Sequence, residues 1–131
     1  MKGIKISIRL FFIAFFVFFS SNEANATHAM AVDITYKCVG PNQYAFCVNF
    51  YRDCEGIPPP GSVNLNFSSQ SCGQNFTVNI DSTVTGLEVS QLCPDTLPYS
   101  TCNSSGLPGV ELTIYCDTIT LPANCSDWVV S

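Results

Sequence analysis

Eight cysteines, Cys38, Cys47, Cys54, Cys72, Cys93, Cys102, Cys116 and Cys125, constrain what this 131-residue chain can fold into more than any other feature. All of them follow a segment that reads as an export signal. Lys2, Lys5 and Arg9 form a basic start, Leu10 to Phe19 an uninterrupted apolar run, and Ala24-Asn25-Ala26 a small-residue site that places cleavage after Ala26. Ten apolar residues rise about 15 Å as a helix, half of a hydrocarbon core roughly 30 Å thick, which is too short for an anchor. No cysteine follows the run before Cys38, which argues against a lipid-anchored N-terminus. Residues 1–26 are therefore read as a signal peptide and 27–131 as one disulfide-rich β domain with no transmembrane segment in the mature chain. The destination is extracellular or the cell surface, or the periplasm if no sorting domain follows. There, cysteines at this density read as disulfides. The absence of any C-x-x-C pair speaks against zinc. Eight cysteines permit 105 pairings, which spacing cannot choose among, and each bridge can add about 2 to 4 kcal/mol.

Charge narrows the partners. Lys2, Lys5, Arg9 and Glu23 leave with the signal, so two bases, Lys37 and Arg52, face nine acids and the net charge becomes −7. Nucleic-acid binding needs several cations on one face to displace phosphate counterions, and two cannot supply them.

The mature chain alternates with period two. Val32, Ile34, Tyr36 and Cys38 share one face of a strand, and Asp33, Thr35 and Lys37 the other. A turn over 39–43 leads to a second strand at 44–51, in which Tyr44, Phe46, Val48 and Phe50 face one way. Tyr36, Tyr44, Phe46 and Phe50 are the expected core of this hairpin. Pro58-Pro59-Pro60 cannot donate ladder hydrogen bonds, so 55–61 is a stiff exposed connection. Further strands are expected at 63–67 and 76–80, a weaker one at 84–89 broken by Gly86, a long cysteine-held loop at 93–109, then strands at 110–116, 118–121 and 128–130. Val110, Leu112, Ile114 and Cys116 form the alternating set of the first of these. Short strands without a helical period predict an all-β fold, an antiparallel β-sandwich or Greek-key-like sheet, stabilised by disulfides.

Catalytic chemistry finds no foothold. The single histidine, His28, sits two residues beyond the cleavage point, a poor place for a positioned imidazole, and no Gly-x-Ser-x-Gly turn is present. No catalytic, cofactor-binding or metal-ligating residue is assigned. Calcium, which wants six to eight converging oxygens, would draw on Asp53, Glu55, Asp81, Asp95, Asp117 or Asp127, but no D-x-D-x-D-G run gathers them. Asn66, Asn75, Asn103 and Asn124 begin N-x-S/T sequons, meaningful only in a eukaryotic source.

Thr27-His28-Ala29-Met30, Asp33 through Cys38, Asn42-Gln43-Tyr44 and Asn49-Phe50-Tyr51-Arg52-Asp53-Cys54 carry a resemblance, continued by Glu88 through Pro94, Ser100 through Asn103, Leu107 through Val110 and Leu121 through Trp128. Across the mature chain these stretches resemble the N-terminal β-rich module of large Bacteroidetes surface proteins, those associated with gliding motility and type IX secretion. The resemblance implies a non-enzymatic adhesion, interaction or scaffold module whose partner is a surface protein or a glycan. Relative to that family Cys47 and Cys116 are additions, which implies that they pair with each other. Alternation opposes this, because Cys47 lies opposite Phe46 while Cys116 shares the face of Ile114, so a bridge would need two sheets or a bulge. The family also continues past the Trp-containing strand. With Ser126 to Ser131 reading as a strand just entered, the domain is expected to be incomplete at its C-terminus. The alternative reading is a small stand-alone secreted inhibitor or toxin-like domain contacting its target through Ile57-Pro58-Pro59-Pro60.

Overall fold

The computed structural model describes residues 29–131; the signal segment, its cleavage site and His28 lie outside the described residues. Six strands follow in chain order: β1 (Ala29–Gly40), β2 (Gln43–Asp53), β3 (Ser62–Ser69), β4 (Gln74–Glu88), β5 (Val110–Thr120) and β6 (Val129–Val130). They form one antiparallel sheet in the order β1-β2-β5-β4-β3-β6, curled into a half-barrel. β3, β4 and β5 follow one another as neighbours, and β2 lies against β5 across the long connection. This is the Greek-key arrangement, all-β as the periodicity predicts.

The curl originates in β4, whose first half pairs with β3 (Ser62↔Asp81 to Ser69↔Gln74) and whose second half pairs with β5 (Ser82↔Tyr115 to Glu88↔Glu111). The two expected segments at 76–80 and 84–89 are thus one strand that changes neighbours midway. Its second half carries two register shifts, and Gly86 there has φ 72°, a left-handed conformation that glycine adopts without strain. Gly86 bends this strand without interrupting it. Likewise 110–116 and 118–121 merge into β5, and the β1–β2 turn is tighter than expected, only Pro41-Asn42, with Asn42 at φ 55°.

Directly opposed residues in an antiparallel pair share a face. Phe46 and Val48 of β2 therefore point inward with Leu65, Phe67 and Ile80 of the other half, and Tyr115, Ile119 and Leu121 complete the buried core. Phe46 meets Phe67 edge-on at 5.1 Å between centroids, and Phe67 stacks on Phe76 at 4.9 Å, so aromatic contacts join the two halves of the curl. The expected core of the hairpin is thus correct for Phe46 but not for Tyr36, which lies on the inward face yet is 71% exposed because β1 is the edge strand. Tyr44 and Phe50 are half-buried.

Strand β5 departs from its expected facing. Thr113 and Tyr115, opposite Phe50 and Val48, are its most deeply buried residues, while Leu112 on the other face is buried too. A central strand with both faces partly covered does not alternate cleanly, so its apolar set misidentified the inward side.

Replacing Phe46 by alanine is expected to cost about 3 to 5 kcal/mol by opening a cavity against Phe67. Asn49, whose side chain bonds Asp33 on the outer face, should tolerate alanine at a cost within about 1 kcal/mol. Urea melts of the two variants check this, and equal midpoints would contradict it.

Candidate functional site

Among the described residues the two edges of the half-barrel are unpaired, and they flank a common groove. Tyr36 of β1, with Tyr44 and Phe46 of β2, forms one wall; Leu121, Cys125, Ser126, Trp128 and Val130 form the other, around a space of about 240 Å³. Aromatic contacts run from one lip to the opposite one. Tyr36 lies 5.9 Å from Phe46, and beyond Phe67 and Phe76 the Trp128 ring meets Phe76 edge-on at 5.7 Å.

The second wall is a short, irregular segment, so its position depends on staples. Cys72–Cys125 ties it to the β3–β4 turn. Asn66 and Ser131 exchange backbone hydrogen bonds at 2.8 and 3.1 Å. Ser69 Oγ donates to Asp127 Oδ1 at 2.6 Å and the Ser71 amide to Asp127 Oδ2 at 2.8 Å. The hydroxyls of Ser69 and Ser71 and that amide, all donating to the charged form, hold the Asp127 carboxyl well below the usual carboxylate range. The Trp128 indole donates to Ala123 O at 3.3 Å, which sets the ring's orientation at the lip. Asp127, considered from sequence as a calcium oxygen, is thus a staple of the groove.

A second cleft of about 230 Å³ lies under the proline loop, lined by Ala29, Phe50, Arg52 and Ile57 to Pro60. Arg52 is 9% exposed and pairs with Glu111 at 2.8 Å. Its guanidinium also donates to the carbonyls of Asp53, Cys54 and Gly56, the last at 2.8 Å. Tyr115 donates its hydroxyl to Pro60 O at 2.7 Å, and burial raises its pKa. The loop is therefore stiffened by bonds from inside as well as by its prolines, and Ile57 stands 62% exposed at its surface.

Three disulfides form: Cys47–Cys116, Cys54–Cys102 and Cys72–Cys125. The bridge implied by the family resemblance, Cys47–Cys116, is present. The geometric objection fails because β2 and β5 are neighbours whose register places Cys47 directly opposite Cys116 on the outer face. Cys54–Cys102 holds the 89–109 loop, where Gly109 packs so closely that a Cβ would fall 2.6 Å from Cys102 Sγ. Hydrogen bonds from Ser100, Ser90 and Asn103 of this loop lower the pKa of Glu88, the last residue of β4. The remaining two disulfide candidates, Cys38 and Cys93, are exposed thiols. Cys38 lies where β5 ends, beside the Gln43↔Thr120 pair, and Cys93 follows the Val89–Val110 bond where β5 begins. An eleven-residue strand is about 33 Å long, whereas a bridge needs Cα atoms within about 7 Å.

The alternation places Tyr36, Tyr44 and Phe46 in the core and Trp128 in a terminal strand; it does not bring them together at one opening. No group of three His, Cys, Asp or Glu side chains converges as a metal site among the described residues, and no described helix is long and apolar enough to cross a membrane. No family model, curated protein or solved structure matches the chain.

Because the Asp127 pKa is lower folded than unfolded, its stabilisation is complete above about pH 4 and fades as pH falls further. Asp127→Asn should lower the urea midpoint at pH 7, with the gap to the unaltered protein narrowing between pH 4 and 2. A gap that stays constant over that interval would contradict the role given to Asp127.

Proposed function

We propose that this chain is a non-enzymatic exported module, an adhesion or interaction unit of a larger cell-surface protein of the type IX-secreted kind, which docks a surface protein or glycan in the aromatic groove. The groove itself carries the reading. Apolar and aromatic surface with hydroxyls at the rim suits both a sugar face and an apolar side chain, and preorganised walls avoid an ordering cost on binding. Tyr36, Tyr44 and Trp128 supply ring surface with polar tips, and a disulfide and an aspartate hold the irregular wall in place. Disulfides also suit an oxidising destination outside the cytoplasm.

The stand-alone inhibitor reading is favoured by one observation: Ile57 projects from a proline loop locked by Arg52 and Tyr115. The two readings use different surfaces, so substitutions separate them.

Screening the exported protein on glycan and surface-protein arrays should yield a binder whose titration changes the fluorescence of Trp128, the sole tryptophan. Tyr36→Ala should weaken that binder about tenfold or more with little change in melting temperature, since the side chain is mostly exposed. Binding that survives Tyr36→Ala and Tyr44→Ala but is lost with Ile57→Ala would move the function to the proline loop. The absence of any binder would contradict both readings.

A further inference from the structure

β1, which gives Tyr36 to one wall of the groove, offers a second interaction surface along its outer backbone edge. Among the described residues its only strand neighbour is β2 and its other edge is unpaired, and residues 29–39 are all exposed. Val32, Ile34 and Tyr36 form an apolar stripe along it, and Val32 is 56% exposed. Such an edge is a template for another strand.

The backbone phase of that edge follows from its neighbours. Leu121 N–H donates to Asn42 O at 2.8 Å and Cys54 N–H to Gly109 O at 3.2 Å, one bond at each end of the β2–β5 register. Even-numbered residues of β2 thus turn their backbone groups toward β5, and odd-numbered ones, Cys47 and Asn49 among them, toward β1. Cys47 opposes Thr35 and Asn49 opposes Asp33, so the backbone groups of Val32, Ile34, Tyr36 and Cys38 point outward, unbonded.

We propose that this edge pairs antiparallel with β1 of a second copy, about a two-fold axis at Thr35, to form a dimer with a continuous sheet. The charge pattern selects both the occupant and the register. Asp33 stands two residues before Thr35 and Lys37 two residues after, on the same face. Rotation about Thr35 therefore places each Asp33 opposite Lys37 of the second copy. These fall at non-hydrogen-bonded positions, where opposed side chains approach most closely. Slipping the register by two residues, which moves the axis to Ile34 or Tyr36, leaves both charges without partners, and an axis at Asp33 or Lys37 sets that charge against its own copy. Lys37 has no acidic partner within the monomer among the described residues. Two charges of one sign would repel a copy, as edge lysines commonly do. In the same register Ile34 opposes Tyr36 of the second copy and Val32 opposes Cys38, each pair exchanging the outward backbone bonds. The regular part of β1 lies between register shifts at Ala29/Ala31 and Cys38/Gly40, and it contains every residue this pairing uses.

Asp33 and Lys37 lie on the face opposite Tyr36, so their replacement tests the dimer without altering the groove. Sedimentation equilibrium of the exported protein should show a monomer–dimer equilibrium that persists in Cys38→Ser. Asp33→Lys and Lys37→Asp should each weaken the dimer roughly ten- to thirtyfold by turning two attractive pairs repulsive. The double exchange should return the constant to within about threefold of the unaltered protein. In a Cys38→Ser, Cys93→Ser background, Thr35→Cys should oxidise to a covalent dimer linked at position 35, whereas Val39→Cys should not. Protein that stays monomeric at about 100 μM, a dimer lost with Cys38→Ser, a double exchange no better than either single one, or Thr35→Cys that does not cross-link would each overturn the proposal.

Discussion

The pairing of β2 with β5 is the constraint on which the rest of the structure depends. It runs unbroken from Gln43↔Thr120 to Asp53↔Val110 and joins segments separated in the chain by β3, β4 and a long loop. Ordering so much chain before the strands meet is entropically costly, and non-local contacts of this kind form late and slowly. Three devices act on this one pairing. Cys47–Cys116 closes a separation of 69 residues across it, the partly buried Arg52–Glu111 ion pair spans it near one end, and Cys54–Cys102 anchors the following loop beside that end. The hydrogen bonds from Arg52 to three loop carbonyls matter as much as its charge partner, because a buried guanidinium leaves costly donors if they are unmet. With β5 fixed beside β2, β4 must reach both β5 and β3, and the sheet curls.

How much of this was legible depended on how many neighbours each segment has. β2 and β3 alternate cleanly, and their facings were readable from Phe46 and Leu65 because each strand buries one face more deeply than the other; β1 alternates in sequence from Val32 but, at the edge, buries neither face. β5 misled because Leu112 is buried on one side and Tyr115 on the other. β4 read as two strands because its partner changes at Ser82, where no residue type announces a corner. The adjacency of Cys47 and Cys116 had no local signal at all, since it follows from the order of strands across the sheet. It was anticipated only through the family resemblance. Tyr36 shows the converse limit: periodicity assigns a side chain to a face, but exposure depends on whether the strand lies at an edge.

The open side of the curl is where the fold presents the groove proposed as the binding site. A closed barrel would bury Tyr36, Tyr44 and Trp128; the half-barrel presents them, and Asp127 with Cys72–Cys125 keeps the second wall from fraying. Thr113 is the one unsatisfied polar group buried near this core, its hydroxyl lacking a partner among the described residues. The outward edge of β1 and the groove share Tyr36 but differ in what they ask of a partner. In the proposed readings the edge takes a strand of matching charge order, and the groove an apolar or sugar surface.

The central claim is that β2 and β5 are sheet neighbours in this register. Peptide mapping of the oxidised, alkylated protein tests it most directly. The structure predicts linked peptides for Cys47–Cys116, Cys54–Cys102 and Cys72–Cys125, with Cys38 and Cys93 alkylated. A link from Cys47 to any other cysteine, or a bridge between Cys38 and Cys93 within one chain, would contradict the strand order from which the groove and the free edge both follow.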